Sequence, residues 1–243
     1  MTSSTQTQGT VALVGSGEYL PTMLPVDQTL LERMRERGTT PRVVVVPTAA
    51  APDGAAVTDR WARMGTEHFR TLEAQVEPVM LLTREDANKP QFVERLTQAN
   101  FIYLSGGKPR YLFETLKDSE AWRAIRSVYE QGGIIAGCSA GAMVLGSEFF
   151  DFPQIWKMRP ALSLIPGIAI IPHFDELPGL FKDTAIHSTD KVTVVGVEGG
   201  TALAGSGNNW EVIGSGGVSV FTDKGKVRYT GGQRVPLQLL AKD

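Results

Sequence analysis

The chain has 243 residues, 42% of them hydrophobic and 21% charged, with a formal net charge of -2. That length supports a core without staples, and the charge balance excludes an electrostatic case for nucleic acid or an anionic membrane as partner. The single cysteine, Cys138, excludes an internal disulfide, and no apolar run approaches the ~20 residues that a bilayer-spanning helix needs.

Residues Met1 to Gly9 are rich in Ser, Thr and Gln and lack the charged and apolar regions of a signal peptide. They predict a disordered tail (1–9) ahead of one α/β domain (10–243) in a cytoplasmic protein. Val11 to Val14 predicts a buried strand that ends in Gly15-Ser16-Gly17-Glu18. Leu30 to Arg37 is helical in pattern, and Arg42 to Val46 is a second strand stopped by Pro47. Ala56 to Leu72 predicts a helix, Val76 to Leu82 a third strand and Gln91 to Gln98 another helix. Phe101 to Leu104 predicts a fourth strand, ending in Ser105-Gly106-Gly107. Helical stretches at Tyr111 to Leu116 and Ala121 to Glu130 precede a fifth strand, Gly133 to Ala136, which enters Gly137-Cys138-Ser139-Ala140-Gly141.

Beyond Gly146 the pattern changes. Phe149 to Trp156 reads as an irregular aromatic segment, Leu164 to Ile171 as a strand ending at Pro172-His173, and Val192 to Val197 as another strand. Short β runs at Trp210 to Ile213, Val218 to Phe221 and Val227 to Tyr229 predict antiparallel strands added to the sheet edge. Continuous apolar strands alternating with helices imply α/β architecture: a doubly wound, parallel-core sheet covered on both faces, with antiparallel strands at the C-terminal end.

Sites in such sheets form at the carboxyl ends of strands. Gly137 to Gly141 has the G-x-S-x-G form of a nucleophile elbow, with a buried strand before it and a helix of small residues after it. This predicts Ser139 as nucleophile at positive φ, with the flanking glycines avoiding a collision across the turn. Cys138, one residue short of the apex, reads as a core residue.

A serine nucleophile needs a base, and there are three histidines. His68 falls within an amphipathic helix, as a surface or packing residue. His187 lies in a polar stretch before a strand's amino end. His173 directly follows a strand, on the expected active edge. An acid must orient it. Glu198, after the strand Val192 to Val197, is one candidate, and Asp175 and Glu176 are alternatives near His173 in sequence. Ala140 N–H and either Gly106 or Gly107 N–H are candidate oxyanion donors. Gly15-Ser16-Gly17-Glu18 lacks the third glycine of a dinucleotide loop, since Leu20 stands there. No Cys/His cluster predicts a metal site.

Together these residues resemble the peptidase E and cyanophycinase family of serine peptidases. The resemblance rests on Gly15-Ser16-Gly17-Glu18, Val46-Pro47-Thr48-Ala49, Leu104-Ser105-Gly106-Gly107, Gly137 to Ala142, Pro172-His173-Phe174 and Val197 to Leu203, in that order. It implies a fold similar to class I glutamine amidotransferases, and a serine, a histidine and an acid at Ser139, His173 and Glu198. It also implies a small peptide substrate, with α- or β-linked aspartyl dipeptides as candidates, and no cofactor. The chain departs from the family in carrying Ile171-Pro172 before the histidine, where relatives have Asp-Gln or Asn-Pro. Lys108 and Arg110, beside the Gly-Gly turn, are candidate contacts for a substrate carboxylate, as is Lys157. A monomer or homodimer is expected. The alternative readings are a non-catalytic amidotransferase-like binding module and an amidase or esterase of other specificity.

Overall fold

The computed structural model describes residues 9–151, 154–178, 192–207, 209–222 and 225–236, with backbone alone for 154–156. The expected tail therefore lies outside the described residues except for Gly9, which is buried and donates its N–H to the Tyr129 carbonyl at 2.9 Å. His187 also lies outside them.

Five strands form the parallel core: β1 (Thr10–Val14), β2 (Arg42–Val46), β3 (Gln75–Pro78), β4 (Phe101–Leu104) and β5 (Ile134–Cys138), in the spatial order β1-β5-β4-β2-β3. Their connections run through α1 (Leu24–Glu36), α2 (Ala55–Thr71), α3 (Pro90–Gln98) and the pair α4 (Pro109–Leu116) and α5 (Glu120–Glu130). Alternation along the strands divides the core in two. Ala12, Val14, Val43, Val45, Phe101 and Tyr103 pack with Leu30, Leu31 and Phe69 on one face. Val11, Leu13, Val44, Val46, Ile102 and Leu104 pack with Leu96, Leu116 and Ile125 on the other. Both faces are apolar, which is why these strands read as continuous runs rather than as alternating ones.

Helix α1 begins at Leu24, six residues before the predicted start, with Pro25 in its first turn. A proline there sacrifices an N–H that has no intrahelical acceptor in any case. Strand β3 is shorter than expected because Val76 to Leu82 meets Pro78, which has no N–H for a ladder bond. Beyond it, Leu81 N–H turns back onto the Val79 carbonyl at 2.9 Å.

The C-terminal half departs most from the expectation. Three antiparallel strands, β10 (Thr201–Ser206), β11 (Asn209–Gly214) and β14 (Arg234–Val235), extend the first sheet from β1; of the expected edge strands only Trp210 to Ile213 is among them, within β11. The others build a second sheet of six strands. Its order is β13 (Gly225–Thr230), β12 (Gly217–Thr222), β9 (Thr193–Val197), β8 (Ile168–Ile171), β6 (Glu148–Asp151) and β7 (Gln154–Pro160). The segment read as irregular is thus the β6–β7 hairpin. Phe149 and Phe150 are adjacent and both buried, so no period-two alternation marked the strand.

Helix α6 (Ala140–Leu145) is short and wholly buried, in contact with β1, β4, β6 and β8. It is the shared layer between the sheets, and it starts at the serine turn. An isolated parallel bridge, Ser16 to Gly199, then joins the carboxyl edge of β1 to that of β9. A β-carbon on Gly15 would stand 2.1 Å from the Glu198 carbonyl oxygen, so only glycine permits this approach. The contact sets the carboxyl ends of β8 and β9 beside those of β1, β4 and β5. No helix among the described residues is long and apolar enough to cross a membrane.

Candidate active site

Ser139 follows β5 and caps α6, with φ 51° and ψ -111°. Such a backbone costs a non-glycine residue about 1–3 kcal/mol, and the packing around it must hold it there. The flanking glycines explain how. A β-carbon on Gly137 would meet the Gly141 carbonyl at 2.5 Å, a collision across the turn as expected. Gly141 is small for another reason: its β-carbon would stand 2.2 Å from the Leu104 carbonyl oxygen of the neighbouring strand. The first α6 bond runs from Met143 N–H to the Ser139 carbonyl at 3.0 Å. The Ala140 amide therefore precedes the helical ladder, beside the serine.

His173 also has positive φ, 51°. Its Nε2 lies 3.1 Å from Ser139 Oγ. The loop that bears it is tied down on three sides. Phe174 N–H donates to the Val197 carbonyl at 3.1 Å, and Asp175 Oδ1 accepts the Gly199 N–H at 2.8 Å. The Phe174 ring lies on Gly196, whose absent β-carbon would stand 2.4 Å from it.

The acid beside His173 is Glu176, not Glu198. Glu176 N–H closes a turn onto the His173 carbonyl at 3.0 Å, which puts residues three apart on one side. Both carboxylate oxygens then lie 3.2 Å from His173 Nδ1. Glu198 does follow β9, but it turns toward the β12–β13 hairpin. It accepts the Gly217 N–H at 2.8 Å and a two-pronged bond from Arg228, each prong 2.7 Å. No hydrogen bond joins it to His173. The spacing His-x-x-Glu was the signal for Glu176, but strand-end position favoured Glu198.

Gly106 also departs from its expected place. Its N–H donates to Glu18 Oε1 at 2.6 Å and is therefore committed. Gly107 N–H donates no hydrogen bond among the described residues. At Gly107 φ is 141°, and a β-carbon would stand 2.4 Å from the Ala49 carbonyl oxygen. Gly107 is thus forced by close backbone approach, whereas a β-carbon on Gly106 would meet the Glu18 carboxylate, so the pair is more than a plain turn.

Ser139, His173, Gly107 and Ala140 line one cleft of about 620 Å³, within the range of small-molecule sites. Lys108 and Arg110 line it as well, joined by Met143, Leu177, Pro172 and Asp151. Lys108 Nζ is 3.5 Å from Asp53 at the surface, and Asp151 is held by Arg159 at 2.6 Å. Lys157 is exposed on β7 and does not line the cleft.

Cys138 is fully buried, and burial, followed by the nearby Glu18 charge, pushes its thiol well above the usual range. It is a core residue. His68 is no surface residue: it is buried with its Nε2 2.8 Å from Asp27 Oδ2, on the far side of the first sheet. No group of three metal-ligating side chains occurs among the described residues.

A family model for peptidase family S51 matches residues 11–213. The chain belongs to peptidase family S51. In this S51 chain the matched span runs from β1 into β11 and includes Ser139, His173, Glu176 and Glu198. The cyanophycinase of Synechococcus elongatus is 26% identical over 192 residues, covering 74% of this chain and 59% of that one. The chain thus spans about three-fifths of the length of that relative. An uncharacterised peptidase, YgaJ of Bacillus subtilis, is 25% identical over 68% of each chain. Among solved structures, a peptidase from an acI-B1 actinobacterium superposes with a TM-score of 0.86 at 30% identity, over 95% of this chain and 98% of that one. A peptidase E-type protein from Listeria monocytogenes, at 15% identity and a TM-score of 0.57, shares the fold.

Proposed function

We propose that this chain is a serine peptidase that hydrolyses short peptides, with Ser139 as nucleophile, His173 as general base and Glu176 as the acid behind the base. The observation that carries the reading is the 3.1 Å contact between Ser139 Oγ and His173 Nε2 in the cleft lined by Gly107 and Ala140. Ser139 Oγ attacks the scissile carbonyl and passes its proton to His173 Nε2. The carboxylate of Glu176 favours the tautomer with the proton on Nδ1 and stabilises the imidazolium that forms. Ala140 and Gly107 N–H groups receive the developing oxyanion. His173 returns its proton to the leaving amine, and a water molecule then repeats the sequence on the acyl-enzyme.

The relatives, a cyanophycinase and two proteins described as peptidases, support peptide-type bonds as substrates. Lys108 and Arg110 add positive charge to the lining of the cleft, which favours a carboxylate-bearing substrate such as an α- or β-linked aspartyl dipeptide. In this reading the protein is a cytoplasmic monomer or homodimer that requires no cofactor, nucleic acid or membrane.

The test is amine release from α- and β-linked aspartyl dipeptides and matched neutral dipeptides. Ser139→Ala is expected to lower turnover on the order of 10⁴- to 10⁶-fold with the folded state retained. Retained turnover in that variant would refute the mechanism. Serine-dependent cleavage confined to neutral members would keep the mechanism and remove the roles of Lys108 and Arg110.

A further inference from the structure

The loop after β1, Gly15-Ser16-Gly17-Glu18, is not explained by the hydrolytic chemistry above. Gly17, at φ 88°, turns the chain so that Glu18 enters the core, where it is 6% exposed. Its Oε1 holds the Gly106 N–H at 2.6 Å. A β-carbon on Gly106 would stand 2.8 Å from that oxygen and 3.3 Å from the Ser139 β-carbon, so the three residues meet at one point beneath the nucleophile. The next residue reinforces the grip. Tyr19, at φ 63°, places its hydroxyl 2.8 Å from Ser105 Oγ, and its ring packs on Phe69 and Tyr103.

We propose that Glu18 is a positioning residue for the oxyanion site: its buried carboxylate pins the Ser105–Gly106 peptide so that the following amide, Gly107 N–H, faces the oxygen that becomes negative when Ser139 attacks. This inference rests on the serine peptidase reading. Glu18 does not line the cleft, so it acts through Gly106 and not on substrate. A carboxylate near a developing oxyanion is electrostatically unfavourable, so its value lies in geometry. An ionised acceptor makes a shorter and stronger bond to an amide than a neutral one does, and so holds the peptide more firmly. A misplaced donor weakens the transition state and leaves ground-state binding nearly alone.

The experiment compares Glu18→Ala and Glu18→Gln in the intact chain on the best dipeptide of the panel, with thermal midpoints recorded. Glu18→Ala is expected to lower kcat about 100-fold with KM within about threefold. Glu18→Gln keeps an acceptor oxygen and is expected to recover at least about tenfold of that loss. Affinity for a peptide boronic acid, which mimics the tetrahedral species, should fall in parallel with kcat. Should Glu18→Ala not fold, Glu18→Gln decides: its kcat and boronate affinity fall together at unchanged KM, or the proposal is overturned. Full turnover of Glu18→Ala, a loss confined to KM, or Glu18→Gln no better than a folded Glu18→Ala also overturns it. The Ser139→Ala control separates the two ideas. Inactive Ser139→Ala with fully active Glu18→Ala removes only the positioning role, whereas active Ser139→Ala removes both.

Discussion

Of the three carboxylates that the sequence offers His173, Asp175 is taken by the Gly199 N–H, and the surroundings of Glu176 and Glu198 differ sharply. Glu176 meets Nδ1 with both oxygens, yet its side chain is 62% exposed, so water screens the contact. Glu198 is better buried but is committed to Arg228 and Gly217. Glu176→Gln is therefore expected to lower kcat on the order of 10- to 100-fold, less than a buried triad acid would. Glu198→Gln loosens the β12–β13 hairpin, and its effect should appear in the unfolding midpoint more than in kcat. Steady-state kinetics and thermal melts of the two variants check this, and a larger kcat loss for Glu198→Gln would reverse the assignment.

Segments of chain, rather than single side chains, hold Ser139 and His173 together. The serine comes from the β5–α6 turn and the histidine from the end of β8, in a different sheet. Gly196→Ala would drive a methyl group into the Phe174 ring, 2.4 Å from its nearest atom. Phe174 adjoins His173, so the imidazole moves with it. A displacement near 1 Å costs on the order of 10²-fold in rate, and kcat/KM of Gly196→Ala is expected to fall by about that much. Gly141→Ala strikes backbone instead, at the Leu104 carbonyl, where nothing flexible can yield. Overpacking of this kind costs about 1–3 kcal/mol or more, so its thermal midpoint should drop by several degrees. The Phe149 strand belongs to this scale too. Its aromatic run named no period, and only pairing with β7 and β8 made it a strand.

Across the whole molecule, the face of the first sheet opposite α6 carries an ionisable pair with no catalytic task. Asp27 and His68 are both buried, and Asp27 Oδ1 has no hydrogen-bond partner. Burial raises the Asp27 carboxyl above its usual value, more than His68 lowers it. A carboxyl raised on folding favours the folded state below its unfolded pKa, and that contribution is lost as pH rises through the folded value. Asp27→Asn cannot ionise, so its stability relative to the parent is expected to grow between pH 4 and pH 7.5. Urea midpoints at the two pH values measure the difference, and an advantage that shrinks with rising pH would contradict the assignment.

The sequence by itself determined the strands of the parallel core, the helices between them and the elbow at Ser139. Each is written in local terms: apolar run length, glycine spacing, a proline stop. The same local logic placed His173 at a strand end, next to the edge where the serine stands. Tertiary structure alone decided which sheet each C-terminal strand joined, because short β runs such as Val192 to Val197 and Val218 to Phe221 carry no record of their partners. It also decided which acid reaches the imidazole and which glycine amide stays free. A carboxylate's direction depends on competing donors distant in sequence, here Arg228 for Glu198 and Gly106 for Glu18. Periodicity records a residue's own face, whereas hydrogen-bond partners are chosen only when separate segments meet.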